Sequence, residues 1–313
     1  MSRPAHWGIC FTTLLLTPIA TIAAPIEEAS VGDKGAVRVL GVDVIPELKI
    51  AVANTDNLLK SDTDKISSTH TLVRPSATAH VEHGLSVMEA EIAAEENHFS
   101  NTGEWDYNYE AVDANFKGDF DLTPRNRVNL TAQYLLSQEN PGEGFSQGTQ
   151  VRSQNAVMLN GNTFPFERID LHGGYEFGHR EATGRIEVFG DAGQVKYSET
   201  RALPYNPDRK SNGFGGRFHL RMTAKTAFSF GAGQRTVRYD DYTPLDSDES
   251  YWELGASFTP SDIFVFDARA GENERTLVND NDRKTRAPSY NVTATWSPLT
   301  YSHYTLGATQ SFQ

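Results

Sequence analysis

The chain has 313 residues, a formal net charge of −13 and 22% charged residues. That length allows two ordinary domains or one large β domain. The acidity, with no basic patch interleaved with aromatics, argues against nucleic acid as a partner. After residue 25 no apolar run is long enough for a membrane helix, which leaves strands as the only means of crossing a bilayer.

The opening stretch, MSRPAHWGICFTTLLLTPIATIAAP, places Arg3 ahead of a short apolar segment from Ile9 to Ile19, with small residues at Ala23 and Ala24. This reads as a secretory signal peptide over 1–24, not as a structural helix. The single cysteine, Cys10, lies inside it, so the exported chain is expected to carry no thiol, disulfide or cysteine metal site. A short periplasmic segment, 25–39, is expected next, and a β domain over 40–313.

From Leu40 onward the dominant period is two. Val42, Val44, Leu48, Ile50 and Val52 share one face, against Asp43, Glu47 and Lys49 on the other. Ile92 and its neighbours oppose Glu89, Glu91 and Glu95; Phe116 and Phe120 oppose Asp113, Lys117 and Asp119. Leu130 and Tyr134 oppose Asn129, Thr131 and Gln133, and Trp252 and Leu254 oppose Glu253. In all, thirteen strands are expected, near 40–54, 68–82, 84–97, 107–120, 126–137, 167–178, 184–197, 212–220, 226–239, 250–258, 263–272, 289–296 and 301–312.

The connections alternate in length. Tight turns fall at His83-Gly84, 121–125, 179–183, 221–225, 259–262 and 297–300, several built on Thr-Pro or Ser-Pro. Long polar connections include 138–166, 198–211, 240–249 and 273–288. A soluble sandwich or propeller would also alternate. Long strands, full charges on the polar face and one short-turn rim favour an all-β, antiparallel up-and-down transmembrane β-barrel. Proline suits the rim because it presets φ and donates nothing to the ladder. Phe120, Phe258 and Trp296 would form the aromatic girdle on the short-turn side. Trp105, Tyr107, Tyr197, Tyr239, Tyr242 and Tyr251 would form it on the other. Thirteen strands is an odd number, so the barrel is expected to be truncated at the C-terminus, lacking at least one strand.

The stretch PELKIAVANTDNLLKSDTDKISSTHTLVRPSATAHVEHG, with Asp56-Asn57, Lys60-Ser61-Asp62 and Pro75-Ser76, resembles the start of a known family. These are outer-membrane β-barrel porins found with exopolysaccharide and capsule biosynthesis genes. DLTPRNRVNLTAQY, YEFGHREATGRIEV and FTPSDIFVFDARAG resemble it further on, and Thr55 stands where the family has an Asp. The resemblance implies an envelope role in polysaccharide secretion or assembly, with outer-membrane lipid, lipopolysaccharide, a polysaccharide and export components as partners.

No catalytic, cofactor or metal motif stands out. The histidines are scattered, without HExxH or cysteine partners. Ser146 sits in no GxSxG elbow, and Gly173-Gly174 and Gly215-Gly216 precede no phosphate-loop Lys, so they mark bulges or close approach. His80 near Glu82 and His172 near Asp170 read as solvated lumen or rim residues. Asp246, Asp248, Glu249, Asp280 and Asp282 read as solvated loop acids, not a calcium loop.

The candidate functional surface is the lumen face. Its residues are Glu89, Glu91, Asp113, Glu187, Arg185, Arg217, Arg235, Glu253, Asp267 and Arg269. Acids gather in the N-terminal half and bases in the C-terminal half. That distribution either sets a transverse field that orients a polar glycan or neutralises itself as ion pairs filling a narrow barrel. Three functions compete: a passive pore or scaffold for exopolysaccharide secretion, a general diffusion porin, and a barrel hydrolase acting on lipid or glycan.

Overall fold

The computed structural model describes residues 35–39, 42–58, 65–101, 108–139, 164–198, 206–279, 283–299 and 302–310. The expected signal peptide, Cys10, Lys60-Ser61-Asp62, Trp105, Tyr107, Ser146, Asp280 and Asp282 lie outside them.

The described chain is one antiparallel sheet in which every strand pairs with its sequence neighbours. The strands are β1 (Val37–Val39), β2 (Val42–Thr55), β3 (Ser68–His83), β4 (Ser86–Phe99), β5 (Tyr109–Thr123), β6 (Asn126–Gln138), β7 (Pro165–Phe177), β8 (Gly184–Tyr197), β9 (Arg209–Thr223), β10 (Thr226–Tyr239), β11 (Ser247–Ser261), β12 (Phe264–Leu277), β13 (Lys284–Leu299) and β14 (Ser302–Gln310). The fold is the expected up-and-down all-β meander. The thirteen expected strands correspond to β2–β14. The added one, β1, lies in the segment expected to be a periplasmic arm, where Val37–Val39 pair with Val42–Val44. Among the described residues β14 pairs only with β13, so the sheet is not closed.

Several strands run further than the alternation indicated. β12 continues to Leu277, not 272, and β13 begins at Lys284, not 289. β9 reaches back to Arg209 and β11 to Ser247. In these outer ends both faces are polar, as in Arg275-Thr276 opposite Lys284-Thr285, so no hydrophobic period marks them. A strand of fourteen residues is roughly 46 Å long. Tilted by about 40°, it still rises above a hydrocarbon layer of about 30 Å, so its ends need not be apolar.

Two of the Thr-Pro and Ser-Pro repeats occupy strand ends rather than the turns themselves, while Pro124 sits in the β5–β6 turn. Pro260 lies within β11 and Pro298 within β13, each inside a register shift, Phe258/Ser261 and Trp296/Leu299. The residue before each proline donates its N–H to the neighbouring hairpin: Thr259 to the Lys225 carbonyl at 2.8 Å, Ser297 to the Ile263 carbonyl at 2.7 Å. The bulge thus ties one hairpin to the next around the short-turn rim, and proline occupies the place where no donor is required. At Gly84 the turn demands φ +64°, which glycine adopts without strain.

The two faces are inverted relative to a soluble sheet. Ile92 is 58% exposed and Leu130 42%, and Phe230 is exposed as well. Phe116, on the same face, is half-buried. The opposite face carries the charges, and Arg217, Glu187 and Glu253 have side-chain exposures of only 19%, 14% and 21%. The few buried apolar residues include a small core at the long-loop end, where Leu58 and Phe99 meet Ile66 and Tyr109. Beside it the His70 ring stacks on Phe99 at 4.4 Å and its Nε2 meets Asn97 Oδ1 at 2.8 Å.

Candidate functional site

Pairing register decides which residues share the polar face. Lys49 lies opposite Arg74, His80 opposite Glu89, Glu89 opposite Lys117 and Asp113 opposite Leu135. On the far side of the sheet Glu187 lies opposite Arg217, Arg217 opposite Gly231, and Gly231 opposite Glu253. All ten lumen candidates fall on this one face. It is concave: side chains from β6 through β12 line a single cavity of about 900 Å³. Seven strands laid flat would span roughly 30 Å.

The charges on this face are drawn into discrete knots. Arg74 holds Glu91 at 2.9 Å, Glu95 at 3.1 Å and Asp113 at 3.6 Å, reaching across β4 to β5. Arg217 holds Glu187 at 3.1 Å and Glu253 at 2.6 Å, and His219 Nε2 lies 3.4 Å from Glu187. Near the short-turn rim Glu176 joins Arg127 and Arg185, the latter at 2.9 Å. At the long-loop side Arg275 holds Glu249 at 2.7 Å. Of the expected residues, Glu89 lies between His80 and Lys117. Asp267 and Arg269 line a recess of about 470 Å³ with Glu253. Arg235 donates to Ser211 Oγ at 3.1 Å and has no carboxylate within ion-pairing distance among the described residues.

The hubs Arg74, Arg127 and Glu176 were not among the candidates. Arg74 shares the parity of His80 and Glu82, so strict alternation through β3 would have found it. Glu249 and Arg275 lie in the outer ends of β11 and β12, where no hydrophobic alternation marks them. The loop acids are not all solvated either. Asp246 is buried, accepting the Tyr239 N–H at 2.8 Å, while Asp248 pairs with Arg238 and Glu249 with Arg275. Asp246 thus closes the β10–β11 turn rather than facing water, while Asp248 stays exposed beside Arg238.

Glycines make the knots and rings fit. A Cβ on Gly231 would stand 3.2 Å from Glu253 Cγ and 3.5 Å from Arg217 Nε, so its absence lets the two side chains meet across β10. A Cβ on Gly215 would meet the Phe189 ring at 2.6 Å, and one on Gly233 would meet the Tyr251 Oη at 2.6 Å and its ring at 2.7 Å. The rings therefore cover these glycines on the concave wall, with the Arg217 guanidinium 5.7 Å from the Phe189 centroid. The register is uninterrupted at Gly174 and Gly215, so these glycines mark close approach, not bulges. Tyr197, Tyr239 and Tyr251, expected in a lipid girdle, have polar-face parity instead, and Tyr197 Oη donates to Glu139 at 3.0 Å. Trp296 and Tyr304 do form a ring pair, at 5.5 Å, on the apolar face near the short turns.

Catalytic arrangements are sparse. His172 Nδ1 meets Asp191 Oδ1 at 2.6 Å, and no Ser or Thr hydroxyl bonds that histidine among the described residues. Ser297 Oγ lies 2.8 Å from His303 Nδ1 at the short-turn rim, with no carboxylate bonded to His303 among the described residues. No group of His, Cys, Asp or Glu among the described residues is arranged to hold a metal.

The family described as "Putative beta-barrel porin 2" matches residues 43–313. Among solved structures, the COG4313 outer membrane channel from Pseudomonas putida F1 is 14% identical with a TM-score of 0.41, covering 85% of this chain and 100% of that one. The CymD monoaromatic hydrocarbon channel is 11% identical with a TM-score of 0.42, covering 83% and 80%. No curated protein sequence matches.

Proposed function

Because the chain belongs to the beta-barrel porin 2 family, an outer-membrane β-barrel channel, we propose that it is a passive pore whose cargo is polar glycan, serving exopolysaccharide or capsule secretion. The observation that carries the pore reading is the inversion of the faces. Charged side chains such as Arg217 are more sheltered than Ile92 or Leu130 on the other side. In water, that arrangement forfeits the burial of the exposed apolar face at about 25 cal/mol per Å². In a bilayer it becomes favourable, with lipid against the apolar face and an aqueous lumen against the polar one.

What supports a glycan is the chemistry of the wall. Sugars present apolar C–H faces and a rim of hydroxyls. The Phe189 and Tyr251 rings lie over Gly215 and Gly233. Around them Glu187, Arg217 and Glu253 offer donors and acceptors. The link to secretion rests on the resemblance of the N-terminal stretch to porins found with exopolysaccharide genes.

The test is current through the purified, detergent-folded protein in planar bilayers. The reading expects steady conductance that neutral oligosaccharides interrupt from one side in a concentration-dependent way. Large conductance indifferent to oligosaccharides would favour a general diffusion porin and remove the glycan. Glycan or lipid cleavage abolished by His172→Ala or His303→Ala would favour the hydrolase.

A further inference from the structure

We infer that the long-loop half of the concave wall holds a binding site for the oxyanion of a polar solute, a carboxylate or phosphate, centred on Arg235. The inference deepens the pore reading and rests on it.

Three arginines from three strands surround one recess of about 370 Å³: Arg168 on β7, Arg209 on β9 and Arg235 on β10. The recess opens beside the larger cavity of about 900 Å³, with which it shares Gln133, Ser211, Arg209 and Arg235. Its one acid is Asp170, and that carboxylate is engaged by Arg168. Arg168 also donates to Gln133 Oε1 at 3.3 Å. Arg209 lies by the Tyr197 phenol. Arg235 is solvent-exposed, and its only hydrogen bond among the described residues goes to a neutral hydroxyl, Ser211 Oγ.

The acids that face Arg235 from neighbouring strands bond to other side chains. Glu249, its cross-strand partner, is held by Arg275, and Asp191, two strands away across Gly213, is held by His172. Elsewhere on the wall some arginines are matched by carboxylates, as at Arg74 and Arg217, while Arg221 donates to backbone carbonyls. Here three guanidiniums and one carboxylate line a hollow, and Arg235 has no ion-pair partner among the described residues. A guanidinium's planar fork binds two oxygens of a carboxylate or phosphate side by side.

A glycine also lines the recess. A Cβ at Gly193 would stand 2.8 Å from Ser211 Oγ and 2.9 Å from Asp170 Oδ1. Its absence lets Ser211 Oγ and the Asp170 carboxylate close over the backbone there, beside the recess that Arg235 lines. The neighbouring Tyr251 ring, over Gly233 on the same wall, would take the apolar face of a sugar whose anionic substituent sits on Arg235.

Binding is measured by equilibrium dialysis of the detergent-folded full chain against radiolabelled glucuronate, a glucose phosphate and glucose, alongside bilayer current with each solute. We expect one or both anionic sugars to bind at least tenfold more tightly than glucose. The stronger of the two identifies the source of the oxyanion. Arg235→Gln is expected to weaken that binding by about tenfold or more, the loss of one charge-assisted bond. Lys117→Gln, on the far part of the wall, should leave it unchanged. Arg209→Gln is a second variant should the first fold poorly. Equal binding of all three sugars, or full affinity in both arginine variants, overturns the site. Binding without current would keep the site and remove the pore; current without anion preference would do the reverse.

Discussion

Arg217 and Glu253 are two strands apart, yet Arg217 Nη2 lies 2.6 Å from Glu253 Oε1 because the position between them, on β10, is Gly231. The same arginine holds Glu187 on its other side at 3.1 Å. One guanidinium therefore ties β8, β9 and β11 across the wall, with two carboxylates that would otherwise repel.

Arg217→Met is expected to destabilise the folded barrel by about 1–3 kcal/mol, since it strands two sheltered carboxylates. Adding Glu187→Gln and Glu253→Gln should recover most of that loss. Gly231→Val should imitate Arg217→Met in part, by separating Arg217 from Glu253. The midpoint of heat-induced mobility shift on gels measures all three. If Arg217→Met melts like the wild type, the knot contributes nothing to stability.

The apolar face is expected to be intolerant of charge. Leu130→Arg should cost roughly 2–4 kcal/mol if the residue lies near the bilayer midplane, and Phe230→Arg a similar amount. Asn129→Arg points the new charge to the wet side and should be much milder. Urea titration of the folded form in lipid vesicles discriminates them. Matching losses at Leu130 and Asn129 would mean the faces are assigned the wrong way round.

The wall's rings predict a separation between conduction and glycan block. Tyr251→Ala removes a stacking surface and leaves the ion pairs of Arg217 and Arg275 in place. Oligosaccharide block should weaken about tenfold while ionic conductance holds or rises. Gly233→Val, which drives the Tyr251 ring off the wall, should narrow the lumen and lower conductance. If block is as strong in Tyr251→Ala as in the wild type, the ring takes no part in binding.

Location offers a simpler check. Expressed from its own start codon in a Gram-negative host, the protein should sediment with outer membranes. Unheated, it should migrate differently from the heated form, as a detergent-resistant barrel does. Recovery in the soluble periplasmic fraction would defeat the bilayer assignment outright.

The meander was legible because alternation is a local property. Leu48, Ile50 and Val52, set against Glu47, Lys49 and Ala51, show the two faces without any knowledge of a partner strand. Strand ends were not legible. In Arg275-Thr276-Leu277 and Lys284-Thr285-Arg286 both faces meet water, so the sequence carries no period there although the ladder continues. Aromatics misled for a related reason. Tyr239 and Tyr251 near a long loop look like girdle residues, but only counting parity through the paired register turns them inward.

By itself, then, the sequence determined the sheet, its two chemically opposed faces and the alternating loop lengths, because each of these is written in residues a few positions apart. Which charges neutralise one another depends on strands that meet tens of residues apart. Arg217 could have been read as one of a row of free cations, and Arg235 likewise. Only the tertiary pairing decided that Arg217 is spent between Glu187 and Glu253 while Arg235 meets a hydroxyl, since register and a glycine at 231 set the distances over which Coulomb attraction can act.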